Sequence, residues 1–167
     1  MQLLILKKNA TEMINFNTEQ MDSISQGFFA KVRQQLVDNT LESMCEYGDE
    51  LMRKAYEERS WENRTFNLKD SFGWVVYNNG SEYKHGYLGT EESTKSKVIY
   101  GETMKGRSVL DAFIREYSPI LSGVELVIVA AMPYGLWLET RYNYVVLSSI
   151  KDDLENTFKK PVKVITQ

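Results

Sequence analysis

The apolar positions of this chain change their spacing several times, and each change marks an element. Residues 3–6 (Leu-Leu-Ile-Leu) are an unbroken apolar run and read as a first strand, which residues 13–16 extend or pair with. Asn17 or Thr18 then offers an N-cap, with Glu19 in the first turn. From residue 19 to residue 59 the spacing is helical. Met21, Ile24, Phe28 and Val32 make one stripe. Leu41, Met44, Gly48, Leu51 and Ala55 make a second, widened by Cys45 and Met52. At about 100° per residue the two stripes lie on nearly opposite sides of one helix. Two solutions follow. The helix breaks near Asp38-Asn39-Thr40, with Thr40 capping a new one, or it continues and its halves face different partners.

Beyond residue 60 the pattern turns to short elements. Residues 60–69 are a polar connection that keeps Trp61 and Phe66. Residues 72–77 are aromatic and β-branched, a strand. Asn79-Gly80 is a two-residue hairpin signal, and residues 81–88 return. Residues 89–107 are polar, charged and interrupted by Gly101 and Gly106. They read as a solvated loop or as a flexible arm that touches a partner. Ser108 caps a short helix running to Glu116. The apolar run at 124–131 reads as a central strand. Residues 134–142 read as irregular or a helical turn, and 144–147 as one more short strand. A capping-box-like start at Ser149 opens a last helix, on which Ile150, Leu154 and Phe158 share a face until Pro161 stops it. Residues 162–165 are an edge strand or a loose tail. The whole predicts one α+β domain over 1–167: an antiparallel sheet with a long N-terminal helical region and a C-terminal helix packed on it.

Composition narrows the class of function. At 167 residues the chain suits one domain with its own core. Its formal net charge of -3 lacks the basic face of a nucleic-acid-coating protein. Cys45 is the one cysteine, so no internal disulfide forms, and its place on the second stripe reads as a small core residue. Basic residues follow the first apolar run instead of preceding it, which is not a signal-peptide order, and no stretch reaches the roughly 20 apolar residues that span a bilayer. A chain made and folded in a cytoplasm, without a membrane partner, is expected. Ten tyrosines and three tryptophans are on the rich side and suit either a core rim or a protein interface.

The search for catalytic chemistry is mostly negative. His85 is the single histidine, set in a hairpin strand, and no Gly-x-Ser-x-Gly elbow accompanies it. One histidine and one cysteine do not make a typical zinc site. Residues 101–106 lack the Lys-Ser/Thr ending of a phosphate loop. Glu57-Glu58, Glu91-Glu92 and Asp152-Asp153 are sequence neighbours in solvent-facing segments. Asp49 and Glu50 stand four residues before Arg53 and Lys54, ordinary helix pairing. No catalytic, cofactor or metal residue is assigned.

Two segments carry a resemblance. The first is Arg64-Thr65-Phe66-Asn67-Leu68-Lys69-Asp70-Ser71-Phe72. It resembles the Thr-Gly-Asn-Leu-Arg-Asp-Ser-Ile signature of the tail-completion, or head–tail joining, proteins of tailed bacteriophages, with Phe66 where the family has glycine. The second is Ala130-Ala131-Met132-Pro133-Tyr134-Gly135-Leu136-Trp137-Leu138-Glu139. It resembles that family's "Tyr-Ala, two residues, Val-Glu" segment, with Arg141 and Tyr142 where Gly-Thr usually follows. The order of elements agrees over residues 20–158. Asn67, Asp70 and Ser71 are turn and cap formers suited to free backbone N–H groups, Leu68 an apolar plug, and Glu139 an acceptor for backbone or tyrosine donors beside Tyr134. Trp137 completes the set of candidate signature or interface residues.

The resemblance implies a ring of copies between the portal side of the head and the tail, with portal, adaptor or tail proteins as neighbours and no cofactor. DNA would pass without specific contact, since an acidic wall offers phosphates no grip. Ring subunits make heterologous contacts, one face of each copy meeting a different face of the next, which gives two opposed stripes a use. Two other readings stand beside it. One is a small cytosolic interaction domain of adaptor or immunity type. The other is an enzyme whose site would combine Tyr134, Glu139 and Arg141.

Overall fold

A computed structural model describes residues 2–62, 67–88, 97–99 and 102–158. They form two compact units, Met1–Thr40 and Leu41–Gln167. Helix α1 spans Gln2–Glu57, so the expected strand at 3–6 and its extension at 13–16 are helix instead. A four-residue apolar run does not distinguish strand from helix, and Leu, Lys, Gln and Met around it favour helix. The expected break at residues 38–40 is also absent. The Thr40 hydroxyl donates back to the Leu36 carbonyl (2.7 Å) within the helix rather than capping a new one, and Gln34 reaches Asp38 at i+4 (2.9 Å).

In the first unit Ile24 and Phe28 of the first stripe are 71% and 61% exposed and Val32 is half-buried; Leu36, one turn further on and outside that stripe, is 62% exposed. Phe29 is exposed beside Phe28, their rings 5.9 Å apart. In the second unit the other stripe is core. Leu41, Cys45, Leu51, Met52 and Ala55 are buried, and Met44 is half-buried. Burial pushes the Cys45 thiol up, which keeps it protonated and inert.

The second unit is an α+β fold around a three-stranded antiparallel sheet, ordered β2 (Ser81–Tyr87), β1 (Phe72–Asn78), β5 (Val124–Ala130). The Asn79-Gly80 turn forms as expected, with positive φ at both residues (50° and 80°), the two-residue geometry that matches strand twist. Asn79 also binds the loop before β5: its amide donates to Gly123 O, and its side-chain oxygen accepts from Gly123 N, each at 2.8 Å.

Strand β1 is the centre, and its two faces meet different helices. Phe72, Trp74 and Val76 face α1. The Trp74 indole lies between Gly48 of α1 and its cross-strand partner Gly86, where a Cβ at either glycine would stand 2.7 Å or 2.5 Å from the ring. Its Nε1–H donates to Asp49 (2.6 Å), so Asp49 is bound to the sheet, while Arg53 reaches forward to Glu57. Gly73, Val75 and Tyr77 face α3 (Gly106–Glu116), and Val75, Tyr77, Leu110, Ile114 and Val129 form one buried cluster. Burial on both faces explains why β1 reads as a continuous apolar run.

The run at 124–131 forms β5 but lies at one edge of the described sheet, not at its centre. It is apolar because Val127 and Val129 join the α3-side cluster while Leu126 and Ile128 stand opposite Val76 and Trp74. Its one acid, Glu125, accepts from the Tyr117 hydroxyl (2.8 Å) and the Ile120 amide (3.0 Å). Burial and the Glu125 carboxylate push the Tyr117 phenol up to about 12.

Within 89–107 the described residues form a small antiparallel pair, β3 (Lys97–Ile99) and β4 (Glu102–Met104). Helix α3 starts at Gly106, two residues before the expected cap at Ser108. Residues 134–142 form a helix, α4 (Tyr134–Tyr142), rather than an irregular turn. Residues 144–147 are not a strand: the Val145 amide donates to Ser60 Oγ (2.8 Å), and the next two go to Glu139. Helix α5 (Ser148–Phe158) lies against α1 through a Lys54–Asp153 ion pair and a Tyr47–Thr157 hydroxyl bond of 3.1 Å. The expected strand at 162–165 lies outside the described residues.

Candidate functional site

The two segments that carry the resemblance meet in space. Residues Asn67–Asp70 form a single helical turn, α2. The turn closes on Ser71, whose amide donates to the carbonyls of Asn67 and Leu68, both at 3.1 Å. The Ser71 hydroxyl donates to Leu68 O (2.7 Å) and accepts from the Met132 amide (3.2 Å). Its carbonyl accepts from the Ala131 amide (3.0 Å). One buried serine therefore joins the first segment to the start of the second. Serine suits the place because one hydroxyl can donate to a carbonyl and accept from an amide at once.

Leu68 is the expected plug. It is buried, and its Cδ1 lies 3.4 Å from where a Cβ at Gly135 would stand, so the first turn of α4 rests on it. From the other side the backbone at Gly106 closes on the turn: a Cβ there would be 2.0 Å from the Asn67 carbonyl oxygen. Asn67 and Asp70 are both buried. The signature is a hub on which the starts of α3 and α4 converge.

Glu139 sits on α4, half-buried. Its Oε1 accepts from the amides of Val146 (2.9 Å), Leu147 (2.6 Å) and Ser148 (2.9 Å). This is a carboxylate cap on the N-terminus of α5, a place where free N–H groups and the helix dipole both favour negative charge. Tyr134 is half-buried, and Arg141 is exposed. Tyr134, Glu139 and Arg141 share α4, but the Glu139 oxygen is committed to backbone amides. Among the described residues no group of three His, Cys, Asp or Glu side chains gathers to hold a metal.

Trp137 faces outward. It is 47% exposed, and its ring stands edge-on to Tyr142 at 4.6 Å; Tyr142, 54% exposed, stacks on Tyr144 at 6.0 Å. Asn143 between the tyrosines is left-handed (φ 52°), a conformation that asparagine tolerates. Leu136, also exposed, lies on the same helix. The sequence reading found Trp137 but not Tyr142 or Tyr144. Their signal was the Tyr-Asn-Tyr spacing, with a residue able to turn the chain between two aromatics.

The hairpin strand holds a polar chain that no motif announced. His85 Nδ1 lies 2.7 Å from Glu82 Oε1, and its Nε2 lies 3.0 Å from the Tyr87 hydroxyl, which donates to Asp111 on α3 (2.8 Å). The Arg107 guanidinium stacks over the Tyr87 ring, 3.5 Å from its centroid. Burial and the bond to Asp111 push the Tyr87 phenol up.

Against known proteins, no family model, no curated protein and no solved structure matches the chain.

Proposed function

We propose that this chain is a virion structural protein of the head–tail connector or tail of a tailed bacteriophage, a subunit of a ring that joins the portal side to the tail and lets DNA pass. The reading rests first on the uncovered stripe of α1. Ile24, Phe28 and Leu36 recur at multiples of four residues on a helix and stay in water. Apolar side chains aligned on one helix face hold a stable position by burial against another surface. The partner is another copy. A closed ring needs two different surfaces on each subunit, and the chain carries two: the α1 stripe and the Trp137–Tyr142–Tyr144 ladder.

The hub supports the same reading from the sequence side. Both segments of the resemblance are brought into direct hydrogen bonding at Ser71, as parts of one family core should be. Their buried members hold the fold, and Trp137 is left for contact. The net charge of -3 suits a wall that DNA slides past without specific contact. No described helix is long and apolar enough to cross a membrane.

Negative-stain electron microscopy of the purified chain, alone and mixed with a portal ring, tests the proposal. Closed rings with a central hole, free or seated on the portal, are expected. A chain that forms no ring in either preparation contradicts it.

A further inference from the structure

Among the described residues strand β5 has one strand neighbour, β1, and its other edge is open. Gly123 and Ala131, just beyond its ends, bond to Asn79 and Ser71 beside β1. By alternation Glu125, Val127 and Val129 turn their backbone groups to β1, and the N–H and C=O groups of Val124, Leu126, Ile128 and Ala130 point the other way. Six of the seven β5 side chains are apolar, yet only Val129 is buried, whereas β1 beside it is buried from Phe72 to Tyr77. The opposite edge of the sheet, β2, is guarded by exposed Glu82, Lys84 and His85. The one charge on β5, Glu125, is taken up by Tyr117 and Ile120.

We propose that the outer edge of β5 is a strand-docking site and that its occupant is the chain's own segment Val162-Lys163-Val164-Ile165, added parallel to β5. The path of the chain leads there. Glu42 of α1 binds Tyr83 and Lys84 of β2, and Lys84 stands opposite Val76, while Gly48, further along α1, lies against Trp74. Helix α1 therefore runs against β1 and along β5. Helix α5 runs back against α1, since Asp153 meets Lys54 and Thr157 meets Tyr47. A chain that leaves α5 and returns to the sheet is then parallel to β5, with α4 and α5 as the helical crossover that parallel strands need. The hand agrees. Viewed from the α1 side with β5 running upward, Leu126 and Ile128 point at the viewer with Val76 and Trp74, and L-residues so placed turn their N–H and C=O to the right. The open edge is thus on the right, where a crossover in front of the sheet delivers its strand when it is right-handed, as nearly all are.

The segment suits the edge. Residues 159–161 connect it to α5, and three extended residues reach about 10 Å. Pro161 cannot continue a helix and needs no acceptor at the start of a strand. Three of the next four residues are β-branched and the other is lysine, a short strand whose charge guards the new edge.

Residue-resolved hydrogen exchange by NMR tests this on three samples: the full chain, a Phe28→Lys, Leu36→Lys variant with lysines on the exposed face of α1, and a chain ending at Phe158. The Leu126 and Ile128 amides are expected to exchange at least about a hundredfold more slowly than in an unstructured peptide, in both full-length forms and at every concentration. The chain ending at Phe158 should lose that protection and regain it with a synthetic peptide of residues 159–167, while Val127 and Val129, bonded to β1, stay protected throughout. Fast exchange at Leu126 and Ile128 in the full chain overturns the proposal and leaves the edge to a different protein. Protection that disappears on dilution or in the double variant overturns it in favour of a second copy. Protection that survives the truncation overturns it as well. Two of the three samples keep the segment, so the test stands even if the shortened chain does not fold.

Discussion

Single residues account for much of the second unit's cohesion. Glu139 gives one oxygen to three amides at the start of α5. Removing it strands those donors, so Glu139→Ala is expected to cost about 1–3 kcal/mol in urea unfolding, and Glu139→Gln less. Gly106 has no room for a side chain, because a Cβ would meet the Asn67 carbonyl at 2.0 Å. Gly106→Ala therefore forces backbone apart at the hub and should cost about 1–3 kcal/mol or more in the same measurement. The Tyr117 phenol, raised to about 12 by burial and Glu125, is a third case. Its neutral form is the one the fold favours. Its contribution to stability is thus full below the ordinary tyrosine value of about 10 and is lost as pH rises from there to about 12. Ultraviolet absorbance titration should show one tyrosine ionising last, and Glu125→Gln should bring it down. Ser71 and Glu139 were legible in the sequence, since hydroxyls and carboxylates beside turns and helix starts seek amides. Gly106 was not, because a close approach between segments almost forty residues apart leaves no local trace.

At the scale of elements, periodicity found the hairpin, the α3 and α5 helices and the strand at 124–130, and it failed where the local pattern allows two answers. The run at residues 3–6 is apolar enough for a strand and rich enough in helix formers to join α1. Asp38-Asn39-Thr40 is weak helix sequence, yet the helix continues through it, with the Thr40 hydroxyl bonded within the turn. Strand β5 reads as central because both its faces are apolar, but two covered faces say nothing about the number of neighbours along its edges. The division of α1 into an exposed and a buried stripe makes an opposite pair of predictions. Leu51→Ala should cost about 2–5 kcal/mol, since the side chain is buried in the second unit. At concentrations low enough that the chain is dissociated, Phe28→Lys should change its unfolding free energy by no more than about 0.5 kcal/mol, since the ring is exposed in the single chain.

For the whole molecule, the central claim is that the Ile24–Phe28–Leu36 stripe is covered by another copy. Two separate apolar stripes within residues 19–59 were legible in the sequence, because helical spacing marks each of them. Which stripe the chain covers itself was not, since it depends on where the sheet forms, a matter of contacts distant in sequence. Sedimentation velocity across a wide concentration range, on the full chain and on a Phe28→Lys, Leu36→Lys variant, measures this directly. The account predicts a concentration-dependent oligomer for the full chain and a well-folded monomer for the variant. A full chain that sediments as a monomer at every concentration, or a variant that assembles equally well, would contradict it.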